Sequence, residues 1–550
     1  MTAEFEYPFR NALSQTVFKN KYAHEGCETW AELAHVLVED VCQDKMPKDD
    51  KDQLTQFIAH MKFIPGGRYL YYAGRRKKFF NNCYLLKAEE DSREDWANLS
   101  WKSESCLLTG GGIGTDYSEY RESGRTLSGT GGVASGPIPK MLMVNEIGRN
   151  VMQGGSRRSA IYASLRHSHK DVEQFLDIKN WHKRTIPGGG KFTLADAKRH
   201  DFNWPAPLDM TNISVNYDTA WLLNYYKTGD VGDVFRRNVS QALETGEPGF
   251  SFNFFDKEHE TLRNACTEVS SCDDSDVCNL GSINLSRIRS ISELASVVAL
   301  ATRFLICGTL RADLPYDKIR EVREKNRRLG LGLMGIHEWL IQRRYKYHVA
   351  DELHQWLDTY RGVSDSEARS FSEKLSISTP VAKRSIAPTG TIGLLAGTTT
   401  GIEPIYAVAY KRRYLTNGTR WKYQYSVDYT AQTLIEEYGV NPDDIETAAQ
   451  LATDYERRIK FQADVQDYVD MCISSTINLP SGVGVDVEHF THTLATYAPR
   501  LRGFTCYPDG SRGGQPLVEV PYSEVVNQLG EEFEEHVEVN DTCEGGVCGI

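Results

Sequence analysis

The chain has 550 residues, a formal net charge of -12, 40% hydrophobic and 25% charged residues, the balance of a globular protein with a core large enough for an enzyme. That acidity excludes a general nucleic-acid coat, although a few local Arg and Lys suffice to bind a nucleotide. Twelve irregularly spaced cysteines exclude a disulfide scaffold, and MTAEFEYPFRNALSQ lacks the basic stretch and apolar core of a signal peptide.

No apolar run reaches the length of a membrane span, so neither a membrane nor nucleic acid is an expected partner. The expected setting is the reducing cytoplasm, where grouped cysteines serve catalysis, redox exchange or metal binding. Residues 1–62 are expected to be helical, because ETWAELAHVLVEDVC and DQLTQFIAHMKF place apolar residues at three- and four-residue intervals. FIPGGRYLYYAG reads as a turn leading into a short aromatic strand. Beyond it, helical segments alternate with β-rich runs such as NCYLL, AIYASL, ISVNY and STINLP, which predicts an α/β fold and leaves an open or closed sheet undecided. Residues 183–207 read as a long exposed insertion, and the acidic GEEFEEHVEV followed by NDTCEGGVCGI reads as a mobile end.

Cys543 and Cys548 form C-x4-C around EGGV. A dithiol that carries electrons by thiol–disulfide exchange suits this spacing better than half a zinc site, since structural zinc wants four ligands and no His lies in the last dozen residues. RNACTEVSSCDDSDVCNLG, residues 263–281, holds Cys266, Cys272 and Cys278. Within it Asn264, Cys266 and Glu268 form N-x-C-x-E. Residues two apart in an extended segment point to one side, so one face offers an amide, a thiol and a carboxylate. That set suits a hydrogen-bonding amide, a sulfur centre and a general base; the plain alternative is a polar loop with a buried cysteine. The C-x5-C-x5-C spacing is poor for zinc, and no metal site is expected. In PTGTIG, Thr389, Gly390 and Thr391 have the make-up of a helix start that exposes N–H groups and a hydroxyl to an anion, or equally of a simple capped turn.

The motifs FIPGGR, NNCYLL, TGGGIGTDYS, SGTGGVASGP, QGGSRRSA, NLGSINL, APTGTIG, TTTGIEP, TINLPSG and RGFTCYPDGSRGG follow one another along the chain, and the dithiol tail ends it. As an ordered set they resemble the catalytic large (alpha) subunit of ribonucleotide reductases. The resemblance implies a ten-stranded α/β barrel over residues 63–530, with a finger loop bearing Cys266 at its centre, an N-terminal helical segment at 1–62 and a flexible redox-active tail at 531–550. Many members begin with a separate ATP-binding domain that switches overall activity; none is expected here.

By the same resemblance Cys266 carries the thiyl radical that abstracts the ribose 3′ hydrogen, Glu268 takes the 3′-hydroxyl proton and Asn264 holds the ribose hydroxyls. Cys83 and Cys278 are the implied reducing pair, restored by Cys543 and Cys548, which pass the oxidation to thioredoxin or glutaredoxin. Cys272 is given no role. Asn82, Thr389, Gly390 and Thr391 are implied substrate contacts, and Gln153 and Arg157 lie in the loop that carries an effector's signal to the substrate base. Asp91 and Ser92 are the implied contacts of a dNTP or ATP specificity effector at the interface of an effector-induced homodimer.

A very short core with this body is similar to the large subunits of small cyanophages. That similarity implies no tightly bound cofactor in the chain and a radical delivered by a separate ferritin-like metal-containing small subunit, with Tyr507 as the relay candidate. Pro508 stands where a second tyrosine is expected, and GGVASGP leans toward the adenosylcobalamin class, which is the alternative. The implied activity is that of a ribonucleoside-diphosphate reductase, with triphosphates also possible. From other functional classes, a non-radical thiol oxidoreductase leaves Asn264, Glu268 and the phosphate turn idle. A nucleotide-binding regulator needs none of the redox thiols.

Overall fold

The computed structural model describes residues 9–129, 131–151, 159–201, 204–416, 420–480, 485–508, 517–530 and 532–534. Three helices come first: α1 (Ala12–Lys21), α2 (Trp30–Cys42) and α3 (Lys48–Ala59). The start of α2 shows why. Thr29 and Glu32 form a reciprocal capping box, and Trp30, Leu33, Ala34, Leu37, Val38 and Val41 make one buried stripe.

The strands that follow are β1 (Phe63–Pro65), β2 (Cys83–Leu86), β3 (Gly112–Asp116), β4 (Ile161–Arg166), β5 (Thr211–Tyr217), β6 (Gly249–Phe252), β7 (Leu262–Arg263), β8 (Ser270–Ser271), β9 (Asp276–Asn284) and β10 (Leu329–Met334). After them come β11 (Ala409–Thr416), β12 (Arg420–Val427), β13 (Thr476–Leu479), β14 (Gly503–Pro508), β15 (Leu517–Glu519) and β16 (Glu532–Glu534). The expected strands NCYLL, AIYASL, ISVNY and STINLP are β2, β4, β5 and β13.

The main sheet holds ten strands. One half is parallel, running β2–β3–β4–β5–β6. β6 then pairs antiparallel with β14, which pairs parallel with β13. The chain just before β13 pairs with residues 384–386 through the parallel bridge Ile386↔Ile473, and that segment meets β10 through Leu331↔Arg384. Backbone hydrogen bonds Ile386 N–H to Cys472 (3.1 Å), Ser474 N–H to Ile386 (2.8 Å) and Leu331 N–H to Lys383 (3.0 Å) carry these links. β10 is parallel to β9, and β9 is antiparallel to β2, which brings the path back to its start. The result is a barrel of two parallel halves joined antiparallel at β6/β14 and β9/β2. β1 lies outside this ring, against the far end of β9. A second sheet, β15–β11–β12–β16, stands apart from the barrel.

Two apolar cores flank the barrel wall. One joins α1–α3 to the helices Ile291–Arg311 and Asp351–Leu375. The other lies outside β2–β6 and β14. Ile291–Arg311 corrects the sequence reading of apolar runs: by length and composition it could cross a membrane, with a mean hydropathy of 1.6, yet 61% of that window is buried inside the protein. It is a core helix, and its buried face meets α2 and Asp351–Leu375. A second correction concerns RYLYY, which forms the helix Gly67–Tyr72 rather than a strand. Packing overrides aromatic β-propensity there, because the helical turn stacks Tyr69 on Phe80 at 4.5 Å and places it 5.0 Å from Phe304. The 183–207 stretch is exposed at residues 187–192, as read from the sequence, and also carries regular structure: a capping box at Thr193 and Asp196 starts the helix Leu194–His200, and Lys198 reaches Asp209 at 2.6 Å.

Candidate active site

The loop between β7 and β8 carries N-x-C-x-E into the barrel. A short ladder, Leu262↔Ser271 and Arg263↔Ser270, forms its base. At its tip the Thr267 N–H donates to the Asn264 carbonyl at 2.9 Å, and Thr267 takes φ 67°, a turn that a non-glycine residue adopts at some cost. Asn212 on β5 donates to the Ala265 carbonyl at 2.8 Å, and the Cys472 N–H donates to the Glu268 carbonyl at 2.9 Å. The loop can approach β3 only because that strand carries Gly112 and Gly114. A Cβ on Gly114 would lie 1.6 Å from the Arg263 carbonyl oxygen. The TGGGIG glycines therefore make room for the loop.

The loop tip faces a cavity of about 440 Å3 lined by Asn82, Cys83, Asn264, Cys266, Glu268 and the turn Pro388–Thr391 among others. The Asn264 amide donates to the Cys83 sulfur at 2.9 Å while its carbonyl oxygen accepts from the Val269 N–H at 2.9 Å, which fixes the amide's orientation. The Cys83 thiol stands 4.0 Å from Glu268 Oε1. Glu268 is buried, and its Oε2 has no hydrogen-bond partner. Burial raises its carboxyl to about 7, against the opposing pull of the Asn264 hydrogen bond. A carboxyl in that range both accepts and returns a proton near neutral pH.

Cys83 and Cys278 are directly opposite each other across β2 and β9. Side chains so placed have Cβ atoms about 4.5–5.5 Å apart, so a small inward movement brings them to the roughly 3.8 Å of a disulfide. Both are buried free thiols; burial raises both well above the ordinary thiol range, and the Glu268 carboxylate adds to it. Cys266, by contrast, is exposed to the cavity. The three thiols are thus sorted by environment: two protonated and paired, one accessible.

The turn before the helix Gly390–Ala396 forms the opposite wall. Thr389 takes φ 53°, and its hydroxyl accepts from the Gly401 N–H at 2.8 Å instead of capping the helix. The Gly393 N–H closes the first turn on the Thr389 carbonyl at 2.7 Å. The helix start therefore presents its leading N–H groups toward the cavity. Asn82 also lines it, with a buried Oδ1 that has no partner.

The other expected residues lie elsewhere. Asp91 pairs with Arg121 at 2.7 Å and accepts from the Trp96 indole at 3.1 Å, and Ser92 caps the helix Arg93–Leu108 by accepting from the Asp95 N–H at 3.2 Å. Tyr507 sits on β14 opposite Asn478, on the face away from Phe504 and Cys506, which belong to the outer core. Cys272 is half-buried outside the cavity, its carbonyl accepting from Lys87 at 2.7 Å. Gln153, Arg157, Cys543 and Cys548 fall outside the described residues. Sequence reasoning missed Tyr22, Arg68 and Ser282, which also line the cavity. The double glycine of FIPGGR was the available signal: a Cβ on Gly66 would meet the Leu280 carbonyl at 2.9 Å, which betrays a close backbone approach.

A family model described as "Ribonucleotide reductase, barrel domain" matches residues 81–355 and 382–498. The chain is 26% identical to the vitamin B12-dependent ribonucleoside-diphosphate reductase of Mycobacterium tuberculosis, over 88% of this chain and 75% of that one. It is 28% identical to a putative adenosylcobalamin-dependent ribonucleoside-triphosphate reductase of a Mycobacterium phage, over 79% and 71%. Among solved structures, the class Id ribonucleotide reductase alpha subunit of Actinobacillus ureae aligns with a TM-score of 0.71 at 16% identity, covering 91% of this chain and 97% of that one.

Proposed function

This chain belongs to the family of ribonucleotide reductase large subunits and is an enzyme that reduces ribonucleotides, and from that premise we propose how its residues divide the work. A thiyl radical on Cys266 takes the 3′ hydrogen of the bound ribose. Glu268 accepts the 3′-hydroxyl proton, and Asn264 holds the sugar hydroxyls. One thiol of the Cys83 and Cys278 pair gives its proton to the 2′-hydroxyl, which leaves as water; the hydrogen of the other goes to the 2′ carbon, the two sulfurs join as a disulfide, and Glu268 returns its proton to the 3′ oxygen. Cys266 regains its radical when the 3′ hydrogen returns. The observation that carries this reading is the convergence of Asn264, Cys266, Glu268 and Cys83 on one cavity, with Cys278 directly across from Cys83.

Thr389, Gly390 and Thr391 receive the substrate phosphates. Asn82 meets the sugar or its phosphates, and Gln153 and Arg157 report on the base. Asp91 and Ser92 serve the effector in a homodimer, and Cys543 and Cys548 re-reduce the pair and pass the oxidation to thioredoxin or glutaredoxin. Cys266→Ser tests the assignment: nucleotide reduction falls to background, while disulfide exchange through the tail thiols persists. Residual deoxynucleotide formation in that variant overturns it.

For the radical source, the sequence expectation of a ferritin-like partner gives way to adenosylcobalamin, because the relatives that share most of this chain's length are named for that cofactor. Adenosylcobalamin supplies, by homolysis, a carbon-centred radical able to take a hydrogen atom from a thiol. Cys266 fits as its target, since it is the exposed thiol of the site while Cys83 and Cys278 are buried. The partner-subunit reading keeps one observation in its favour, Tyr507 on the face of β14 turned away from the outer core. Assay of the purified chain with adenosylcobalamin as the sole radical source separates the two. Product establishes the cofactor route; product only after addition of a metal-loaded small subunit establishes the other.

A further inference from the structure

The helix Gly390–Ala396 is two turns long and lacks a side-chain cap at its start. So short a helix has little stability of its own, so its direction is set from outside. Ile392, Leu395 and Ala396 anchor it in the first apolar core, but apolar burial is non-directional and leaves its tilt and rotation open.

The polar contacts at its far end come from α1 and from Arg10, two residues before it. The Ser14 hydroxyl donates to the Leu394 carbonyl at 2.7 Å. The Arg10 guanidinium donates to the Gly397 carbonyl at 3.2 Å and pairs with Glu338, whose side chain is fully buried. The other oxygen of Glu338 accepts from the Thr398 hydroxyl, so Arg10, Glu338 and Thr398 enclose the end of the helix. Gly397 closes the helix at φ 62°, and a Cβ there would lie 3.2 Å from both Arg10 Cβ and Asn11 Nδ2. Both carbonyls belong to the helix's last turn and its closing residue, the Leu394 carbonyl also accepting from the Gly397 N–H at 3.3 Å, and a guanidinium beside them complements the helix dipole. One residue beyond α1, Tyr22 lines the catalytic cavity, with its hydroxyl 2.9 Å from where a Cβ on Gly67 would stand. Arg10, Ser14 and Tyr22 lie outside the residues matched by the family model, which begin at 81, whereas Glu338 and the helix itself lie within them.

We propose that α1, with Arg10 just before it, is a positioning element of the substrate site. Arg10 and Ser14 hold the helix Gly390–Ala396 by its carbonyl end, so that its opposite end presents N–H groups to the substrate phosphates. This rests on the phosphate role given above to Thr389–Thr391. That the same cavity holds the unpartnered, buried Glu268 Oε2 independently marks it as built for a polar ligand.

The test compares Ser14→Ala, Arg10→Gln, their double variant and Arg10→Lys with Gly390→Val, which places bulk at the phosphate turn where no atom lies within 4 Å of a Cβ. Steady-state reduction is measured over a range of substrate ribonucleotide, with melting temperature as a control. The double variant is expected to raise KM about 10-fold, equivalent to about 1.4 kcal/mol, with kcat within about threefold of wild type. Arg10→Lys, which keeps the cation, is expected to recover part of the loss. A lower kcat and melting temperature with unchanged KM makes α1 a merely structural strut and overturns the proposal. If Gly390→Val raises KM while the α1 variants leave it alone, the brace is overturned and the phosphate turn stands. If no variant moves KM, the phosphate turn itself is wrong and the proposal falls with it.

Discussion

Glu268 shows how one side chain trades stability for chemistry. A buried carboxyl raised to about 7 binds its proton more tightly in the folded protein than in the unfolded chain, where it titrates near the ordinary 4.5. Between those values the folded state holds more protons, so this group's contribution to stability falls as pH rises from about 4.5 to 7 and stays lost above. Glu268→Gln removes that cost. The variant is expected to melt higher than wild type at pH 8, by an amount that shrinks toward pH 5, as differential scanning calorimetry at both pH values can read. Its reductase rate is expected to drop by about 10²–10⁴, the usual worth of a positioned general base. If Glu268 is the proposed base, wild-type kcat/KM is expected to rise with pH through about 7, because only the carboxylate can accept the 3′-hydroxyl proton. A flat profile across pH 6 to 8 would remove Glu268 from the role of base. The N-x-C-x-E spacing already placed amide, thiol and carboxylate together. The sequence could not reveal that Asn264 also binds the Cys83 sulfur, because that contact joins residues 181 apart.

At the scale of elements, the strands were readable where β-rich runs are short and bounded by turns, as in NCYLL and STINLP. RYLYY was misread because its helical form depends on Phe80 and Phe304, partners that no local pattern contains. Barrel closure was equally hidden: it runs through residues 382–386, joined by isolated bridges too sparse to mark a strand. The reducing pair came from resemblance alone, and the β2/β9 register gives it a physical basis. That register carries a prediction. One turnover of a Cys543→Ser, Cys548→Ser variant without external reductant, followed by alkylation and peptide mass mapping, is expected to find a Cys83–Cys278 disulfide and no bond to Cys266 or Cys272. The contact between β3 and the finger loop carries another. Gly114→Ala forces the loop away from a carbonyl that a Cβ would approach to 1.6 Å. A displacement of about 1 Å at reacting groups can cost about 100-fold in rate. The variant is therefore expected to keep its far-UV circular dichroism and lose about that much activity. Wild-type rates would show that the loop is not held by this contact.

For the molecule as a whole, the sequence made the catalytic class legible through the order of its motifs, while the assembly has to be argued from surface. The helices Arg93–Leu108 and Pro137–Asn150 pack side by side, and on them Trp101, Leu108 and Met143 are 56%, 65% and 54% exposed. Trp101 and Leu108, seven residues apart, share one side of the first helix, and the Met143 sulfur lies 3.6 Å from the neighbouring Ser100 hydroxyl, the arrangement of a patch suited to association. Asp91 and Ser92 lie at the start of the first helix, and in the sequence Gln153 and Arg157 follow within a few residues of Asn150, the last residue of the second, so this face is the proposed place where the effector acts. A second copy docked here would bury the apolar patch and let an effector bound beside Asp91 bias the loop that reads the base. Binding that favours the dimer must, by linkage, be strengthened by dimerisation to the same degree. Trp101→Glu with Met143→Glu places two charges in that patch. Light scattering is expected to show wild type shifting toward a dimer when dNTP is added and the double variant remaining monomeric. The variant should retain reduction of at least one substrate while losing the effector's control over which base is reduced. A variant that still dimerises, or that stays monomeric yet keeps effector-dependent base choice, would separate specificity control from this face.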